Sequence, residues 1–473
     1  MTRHRLLDLV KNFRYCWVSS RDRLDRATQI SFNDRMHDSL LSRERTVAPL
    51  GFPRWLVPPA AIAVHMCIGQ VYGFSVFNKP LAAELAVPIS NVQWAYQIAL
   101  MMLGISAAVF GKWVERSGPR KTMLASCLFF CGGLLISALA VKIKSIPLLL
   151  FGYGFVGGIG LGLGYISPVS TLVKWFPDRP GMATGMAIMG FGGGALIGSP
   201  LGQELMKYFA SGSNTGAMMT FVTMAGLYSL LMVFGAFLVR VPADNWKPDG
   251  YAPSAHNNAM ITTANVAVDT AWKTPQFWLL WTVLCMNVSA GIGVLGRAAD
   301  MCQDMFSVDA AIGAGFAGLL SIFNMGGRFL WSSVSDFTGR RQVYCLYFIL
   351  GALLYALLPW TQHSQSKTIF VIAAALIISM YGGGFATIPA YLKDMFGTYQ
   401  VGAIHGRLIT AWSVAAVIGP SLINGLYDRR VAAGVPKAEA YNGTFYVMVG
   451  VLMIGLIANL LVRPVDPKHH RRS

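Results

Sequence analysis

IPLLLFGYGFVGGIGLGLGYISPVSTLVKW, residues Ile146–Trp175, decides the fold. It is apolar on every face and rich in glycine, so it does not read as a membrane β-strand, which needs only about 9–11 residues of alternating character. As a helix rising 1.5 Å per residue, about 20 such residues cross a hydrocarbon layer roughly 30 Å thick. Stretches of the same kind recur throughout the chain. They predict spans at approximately 54–78, 92–113, 123–141, 146–174, 181–208, 216–239, 275–296, 311–335, 343–361, 368–391, 401–426 and 444–462. Twelve helices and no barrel is the expectation: an all-α polytopic membrane protein.

Composition agrees. Of 473 residues, 54% are hydrophobic and 12% charged, too little polar surface to clothe a soluble globule of this size. The net charge of +17 lies in tails and loops rather than on a nucleic-acid face. Arg3, Arg5, Lys11, Arg14, Arg21, Arg23, Arg26, Arg35, Arg43 and Arg45 crowd the first fifty residues, and the chain closes on His469, His470, Arg471 and Arg472. Cations so placed hold both termini in the cytoplasm, beside anionic lipid. The bilayer is thus an expected partner and nucleic acid is not. The parts predicted are a basic cytoplasmic extension at 1–50, a six-helix half at 51–241, a cytoplasmic loop at 242–274, a second half at 275–463 and a tail at 464–473. The first fifty residues show no apolar run with a cleavage site, so the first span serves as the address, in a plasma or bacterial inner membrane. The cysteines, Cys16 among them, have no metal-ligand spacing and read as packing residues without a structural disulfide.

An internal echo supports two related halves. Gly111-Lys-Trp-Val-Glu115-Arg116-Ser-Gly118-Pro-Arg120-Lys121 follows the second span, and Ser332-Ser-Val-Ser-Asp336-Phe-Thr-Gly339-Arg340-Arg341 follows the eighth. Each places an acid three residues before a glycine and its cations. Glycine allows the reversal, and the carboxylate suits the positive N-terminal end of a neighbouring helix. On these loops, and on Gly190, Gly192 to Gly194, Gly198 and Pro200 of the fifth span, the chain resembles the major facilitator superfamily from about Arg54 to Val462. Glu115 stands where that family more often has aspartate.

Within the superfamily it is similar to the oxalate/formate antiporter family. The stretches carrying the match are Val173-Lys-Trp-Phe-Pro-Asp178-Arg-Pro-Gly-Met-Ala-Thr-Gly185, Ile322-Phe-Asn324-Met-Gly-Gly-Arg328 and Gly382-Gly-Gly-Phe385-Ala-Thr-Ile-Pro389-Ala-Tyr391. The resemblance implies alternating access between two halves, exchange of small carboxylates, and an arginine of the eighth helix as anion ligand.

Ionisable groups inside the membrane cost about 2.5–3.5 kcal/mol or more unless they face a cavity or a partner. His65, Arg328, His405 and Arg407 lie in spans, while no acid lies deep in any; Glu204 falls near an outer end. Buried cations without buried carboxylates require an anion from elsewhere, so the cargo should be a small organic anion. Arg328 can grip a carboxylate through two parallel hydrogen bonds, with Asn324 one turn before it. The family's second cation, a lysine of the eleventh helix, matches Trp412 here. This departure favours a monocarboxylate such as formate, pyruvate or lactate, unless His405 or Arg407 supplies the missing charge or serves as a gate. Tyr72, Tyr165, Tyr381 and Phe385 are candidates for the cavity wall, and Phe77 and Phe191 are further aromatics at helical spacing.

No nucleotide loop, metal cluster or nucleophile set stands out, so neither catalysis nor a cofactor is expected and gradients should drive transport. Exchange is the first reading. A proton-coupled monocarboxylate symporter is the alternative, with His65 and His405 titrating. A non-transporting carboxylate sensor is the rival from another class, and an integral membrane enzyme the weakest rival. A monomer is the expected working unit.

Overall fold

The computed structural model describes residues 40–49, 51–212, 214–243, 246–248, 250 and 260–471. The cations from Arg3 to Arg35, Cys16, and Asp244, Asp249 and Arg472 lie outside the described residues.

Eleven helices among the described residues are long and apolar enough to cross a membrane. They are α1 (Arg54–Leu85), α2 (Ile89–Ser117), α3 (Pro119–Lys142), α4 (Ile146–Trp175), α5 (Pro180–Phe209), α6 (Ala217–Leu238), α7 (Pro275–Leu295), α9 (Arg340–His363), α10 (Lys367–Phe396), α11 (Val401–Ala432) and α12 (Lys437–Leu461). The 29-residue α8 (Ala310–Thr338) completes the twelve. The helices outrun the expected apolar windows: α1 extends to Leu85 and α12 begins at Lys437, against the expected 54–78 and 444–462. Hydropathy marks the hydrocarbon layer, whereas backbone hydrogen bonding continues into the polar interface until a turn stops it. At Gly118 and Gly339 that turn is made by glycines at φ 79 and 90, in the left-handed region that residues with a side chain rarely adopt.

α1 to α6 form one half and α7 to α12 the other, and the halves meet chiefly where α2 packs on α11 and α5 on α8. The ends of α1, α6, α7 and α12 that adjoin the chain termini and the central segment define one face, called here the terminal face. Glycine sets the closest crossings. A Cβ on Gly194 of α5 would lie 2.4 Å from the backbone of Gly69 in α1, and one on Gly69 would lie 2.2 Å from the Phe191 carbonyl oxygen. Such approach gives helices van der Waals contact that lipid cannot supply. Gly194→Val is therefore expected to separate α1 from α5 at a cost of about 1–3 kcal/mol, read as a lower unfolding temperature of the purified protein; unchanged stability would refute the crossing.

The central segment is more than a linker. Thr262 N donates to the Asp394 carbonyl at 2.8 Å, Val266 N to the Phe396 carbonyl at 2.9 Å and Val268 N to Gln400 Oε1 at 2.9 Å, which straps the segment across the terminal ends of α10 and α11. Asp269 then accepts from Lys112 of α2 at 2.5 Å and from Arg407 of α11 at 2.9 Å, so it touches both halves. These two cations, Lys112 first, hold its carboxyl below the usual carboxylate value. A depressed acid stabilises above its unfolded pKa of about 3.9 and loses that contribution only as pH falls lower. The pair is half exposed, so Asp269→Asn is expected to cost less than about 1 kcal/mol and to leave the melting temperature flat from pH 5 to 8. A steep change over that range caused by the substitution would contradict this.

Candidate functional site

α8 buries Arg328 completely, at 0% exposure, in the middle of the bundle where α8 meets α5. Gly192 makes this possible, because a Cβ there would lie 2.9 Å from Arg328 Nε. The guanidinium is poorly satisfied. Nε donates to Asn324 Oδ1 at 3.3 Å and Nη1 to the Ile188 carbonyl at 3.4 Å, both long for hydrogen bonds, while Nη2 has no partner. No carboxylate among the described residues lies within ion-pair distance of it.

Aromatic rings take the place of a counter-ion. The Arg328 carbon Cζ lies 5.0 Å from the Phe385 ring centre and 5.9 Å from those of Tyr72 and Phe191, distances at which the ring quadrupole attracts a cation. Tyr165 packs on Phe191 and Phe385, at 5.6 and 5.5 Å between centroids, and Trp412 packs on Tyr72 and Phe385, at 6.4 and 5.9 Å. Around this cluster Tyr165 Oη and both ring nitrogens of His405 are buried and without hydrogen-bond partners, while Tyr381 Oη lies near Tyr72 Oη and Trp412 Nε1 without a well-formed hydrogen bond to either. Each such group left unpaired costs about 1–3 kcal/mol. Their gathering around an unsatisfied guanidinium concentrates unspent hydrogen-bonding capacity at one place in the bundle.

The sequence-chosen residues Arg328, Asn324, Tyr72, Tyr165, Tyr381, Phe385 and Trp412 thus come together from both halves. His405 joins them, its ring 5.5 Å from that of Tyr165. Arg407 does not: it lies over Trp272 at the terminal face and pairs with Asp269. His405 and Arg407 both belong to the helical piece Val401–Leu408, where two positions apart at 3.6 residues per turn sends them to nearly opposite faces. Phe77 packs on Phe74 and Phe221 inside the first half. Sequence reasoning passed over Asn287 of α7, whose Oδ1 is buried and unpaired and which lines a small gap behind Tyr381. An amide in the middle of a largely apolar helix was the available signal.

The two echo loops close the terminal face reciprocally. Glu115 at the end of α2 accepts from Gly402 N of α11 at 2.9 Å, and from Ser170 and Lys174 at 2.8 and 2.6 Å. Asp336 at the end of α8 accepts from Gly181 N and Met182 N of α5, both at 2.8 Å, and from Arg340 at 2.5 Å. Each carboxylate caps a helix of the opposite half, where backbone N–H groups and the helix dipole favour negative charge. Asp394, beyond the expected end of its span, lies in the last turn of α10 and is buried against Arg340 at 3.1 Å. Gly111 admits Ala403 of α11, whose Cα would lie 2.9 Å from an added Cβ; Arg120 donates to the Leu40 carbonyl at 2.7 Å, and Arg116 is exposed. Among the described residues, every hydrogen bond joining the two halves lies mid-bundle or towards the terminal face.

Comparison with known proteins places these features. The family model described as Major Facilitator Superfamily matches residues 60–420 and 310–473. The oxalate:formate antiporter of Oxalobacter formigenes is 27% identical over 373 residues, covering 78% of this chain and 84% of that one. Monocarboxylate transporter 4 of Gallus gallus is 30% identical over 396 residues, covering 80% and 78%. Among solved structures, the transporter FucP in the outward conformation aligns with a TM-score of 0.63 at 14% identity over 87% of this chain and all of that one, a likeness of fold alone.

Proposed function

The chain belongs to the Major Facilitator Superfamily, and from that premise we propose that it is a secondary transporter that exchanges small organic anions across a plasma or bacterial inner membrane by alternating access. One observation carries the reading: Arg328 is fully buried at the interface of the halves with a free Nη2 and, among the described residues, no acid beside it. A substrate carboxylate pairs with that guanidinium through a two-pronged, charge-assisted contact. Asn324 fixes the plane of the guanidinium. The Tyr72, Tyr165 and Tyr381 hydroxyls, Trp412 Nε1 and His405 are placed to serve the remaining lone pairs of the carboxylate and any keto or hydroxyl oxygen beside it, and Phe385 walls the site. The similarity to an oxalate:formate antiporter and a monocarboxylate transporter supports the same substrate class.

Alternating access follows from charge. An empty site occludes an unpaired cation, which is costly, whereas an anion-loaded site is neutral and crosses readily. Exchange is favoured over net uptake for that reason. The Glu115 and Asp336 caps, with the Gly118 and Gly339 turns and Arg340, latch one face shut, and Arg407 with Asp269 is part of the same gate. The surplus of Lys and Arg at the termini supports a cytoplasmic setting for this face, and a monomer is the working unit that fits a site supplied by one chain.

Counterflow in proteoliposomes tests the proposal. Preloaded formate, pyruvate, lactate or oxalate should drive uptake of its labelled counterpart and a neutral sugar should not; sugar uptake without anion flux would overturn it. Proton-coupled symport is the second reading, favoured by the two buried histidines, and external alkalinisation during uptake identifies it.

A further inference from the structure

The ends of α8 and α10 away from the terminal face leave a recess between them. It has a volume of about 240 Å³ and is walled by Phe306 of the short helix Ala298–Phe306, by Ile312, Gly315 and Phe316 of α8, and by Lys367 and Phe370 of α10. Three rings line its inner side: the Phe370 centroid lies 5.0 Å from that of Phe306 and 5.4 Å from that of Phe316. The other side is open, since Ile312 is 54% exposed and a Cβ on Gly315 would meet nothing within 4 Å. Gly315 precedes Arg328 by thirteen residues, roughly 20 Å along a helix, so the recess and the anion site are separate places.

We propose that this recess binds one phospholipid of the leaflet opposite the terminal face, with an acyl chain against the three phenylalanines and the phosphate on Lys367. The inference goes beyond the reading of Arg328 and does not depend on it.

Depth selects a hydrocarbon chain. Gly315 and Phe370 both lie inside the apolar windows of their spans, 311–335 and 368–391, so the open side faces lipid rather than water. Apolar cavities of roughly 150 Å³ stay dry and take up small hydrocarbons; this larger one suits a length of acyl chain. Charge selects the head. Among the described residues Lys367 is the one charged side chain on the wall, it is exposed, and no carboxylate lies within ion-pair distance of it. Lys367 opens α10, where the positive end of the helix dipole adds to its own charge. Asp309, beside the recess in sequence, is engaged elsewhere: it accepts from Ile312 N at 2.8 Å and caps α8. A lysine at a helix end extends its ammonium to the headgroup level and keeps its stem in apolar surroundings. Lys367 above Phe370 thus repeats the order of phosphate above chain. An anionic headgroup is preferred to a zwitterionic one, whose own ammonium competes with Lys367 for the phosphate. The bound lipid ties α8 to α10, the helices that carry Arg328 and Phe385.

Native mass spectrometry and thermal unfolding of the purified full chain in detergent test this, with phosphatidylglycerol and diacylglycerol as probes. Wild type should hold one phosphatidylglycerol more tightly than the rest, and its unfolding temperature should rise as that lipid is added. Gly315→Leu and Gly315→Phe fill the recess; both should lose the tightly held lipid and the thermal response, while their lipid-free unfolding temperature stays at or above that of wild type. Lys367→Gln should weaken phosphatidylglycerol binding about fivefold, the loss expected for one cation at an anionic lipid surface, and Lys367→Arg should keep it. Diacylglycerol, which has the chains and no phosphate, should bind wild type no better than phosphatidylglycerol binds Lys367→Gln. Tight binding unchanged in a folded Gly315 variant, equal binding of the two lipids by wild type, or no tightly held lipid in wild type would each overturn the proposal. Should the Gly315 variants fail to fold, the Lys367 variants with the two lipids decide it. The anion site is tested separately by counterflow, so neither result stands in for the other.

Discussion

Arg328→Gln is expected to abolish anion exchange and at the same time to raise the unfolding temperature of the empty protein. Breaking a buried charge pair by removing one partner costs about 3–5 kcal/mol; at 1.4 kcal/mol per decade the anion Kd should rise on the order of 10²–10⁴-fold. Stability moves the other way because the guanidinium, at 0% exposure with Nη2 unpaired, is a liability until the ligand arrives. Arg328→Lys retains the charge but loses the forked geometry, and one lost charge-assisted hydrogen bond of about 1.5–3 kcal/mol predicts an intermediate loss of about 10–100-fold. Proteoliposome counterflow and thermal unfolding without ligand measure the two effects. A purely structural role for Arg328 would make the Gln variant less stable, and normal exchange in it would remove the anion site altogether.

Trp412→Lys should turn preference from monocarboxylates towards oxalate. Trp412 is fully buried, its Nε1 makes no well-formed hydrogen bond, and it shares the Phe385 and Tyr72 rings with Arg328. An ammonium there puts a second cation into the pocket, which a dianion balances and a monoanion does not. A gain of one charge-assisted hydrogen bond, about 1.5–3 kcal/mol, corresponds to oxalate binding tightened about 10–100-fold relative to formate. Burial beside Arg328 disfavours the ammonium, so the switch should be strongest in acid and fade as pH rises. Competition of unlabelled oxalate against labelled formate from pH 5.5 to 8 gives the answer; a folded variant with unchanged preference would show that residue 412 does not face the cargo.

The twelve helices, the two halves and the short set of membrane-embedded cations were legible in the sequence because each follows from local composition: an apolar run long enough to span, or a costly charge inside one. Helix ends were less legible, since α1 and α12 continue into polar residues that hydropathy does not count. Separating His405 from Arg407 needed coordinates. Two positions apart on one helix, they diverge because of helical periodicity and because Asp269, 138 residues from Arg407 along the chain, draws Arg407 to the surface. Only tertiary packing could show that Glu115 and Asp336 each cap a helix of the other half, that the unpaired polar atoms of α1, α4, α10 and α11 gather round Arg328, or that His65 sits between the Ala187 and Tyr165 carbonyls. A sequence states which groups are expensive to bury. Whether a neighbour offsets that cost depends on helices distant in the chain, and their juxtaposition exists only in the fold.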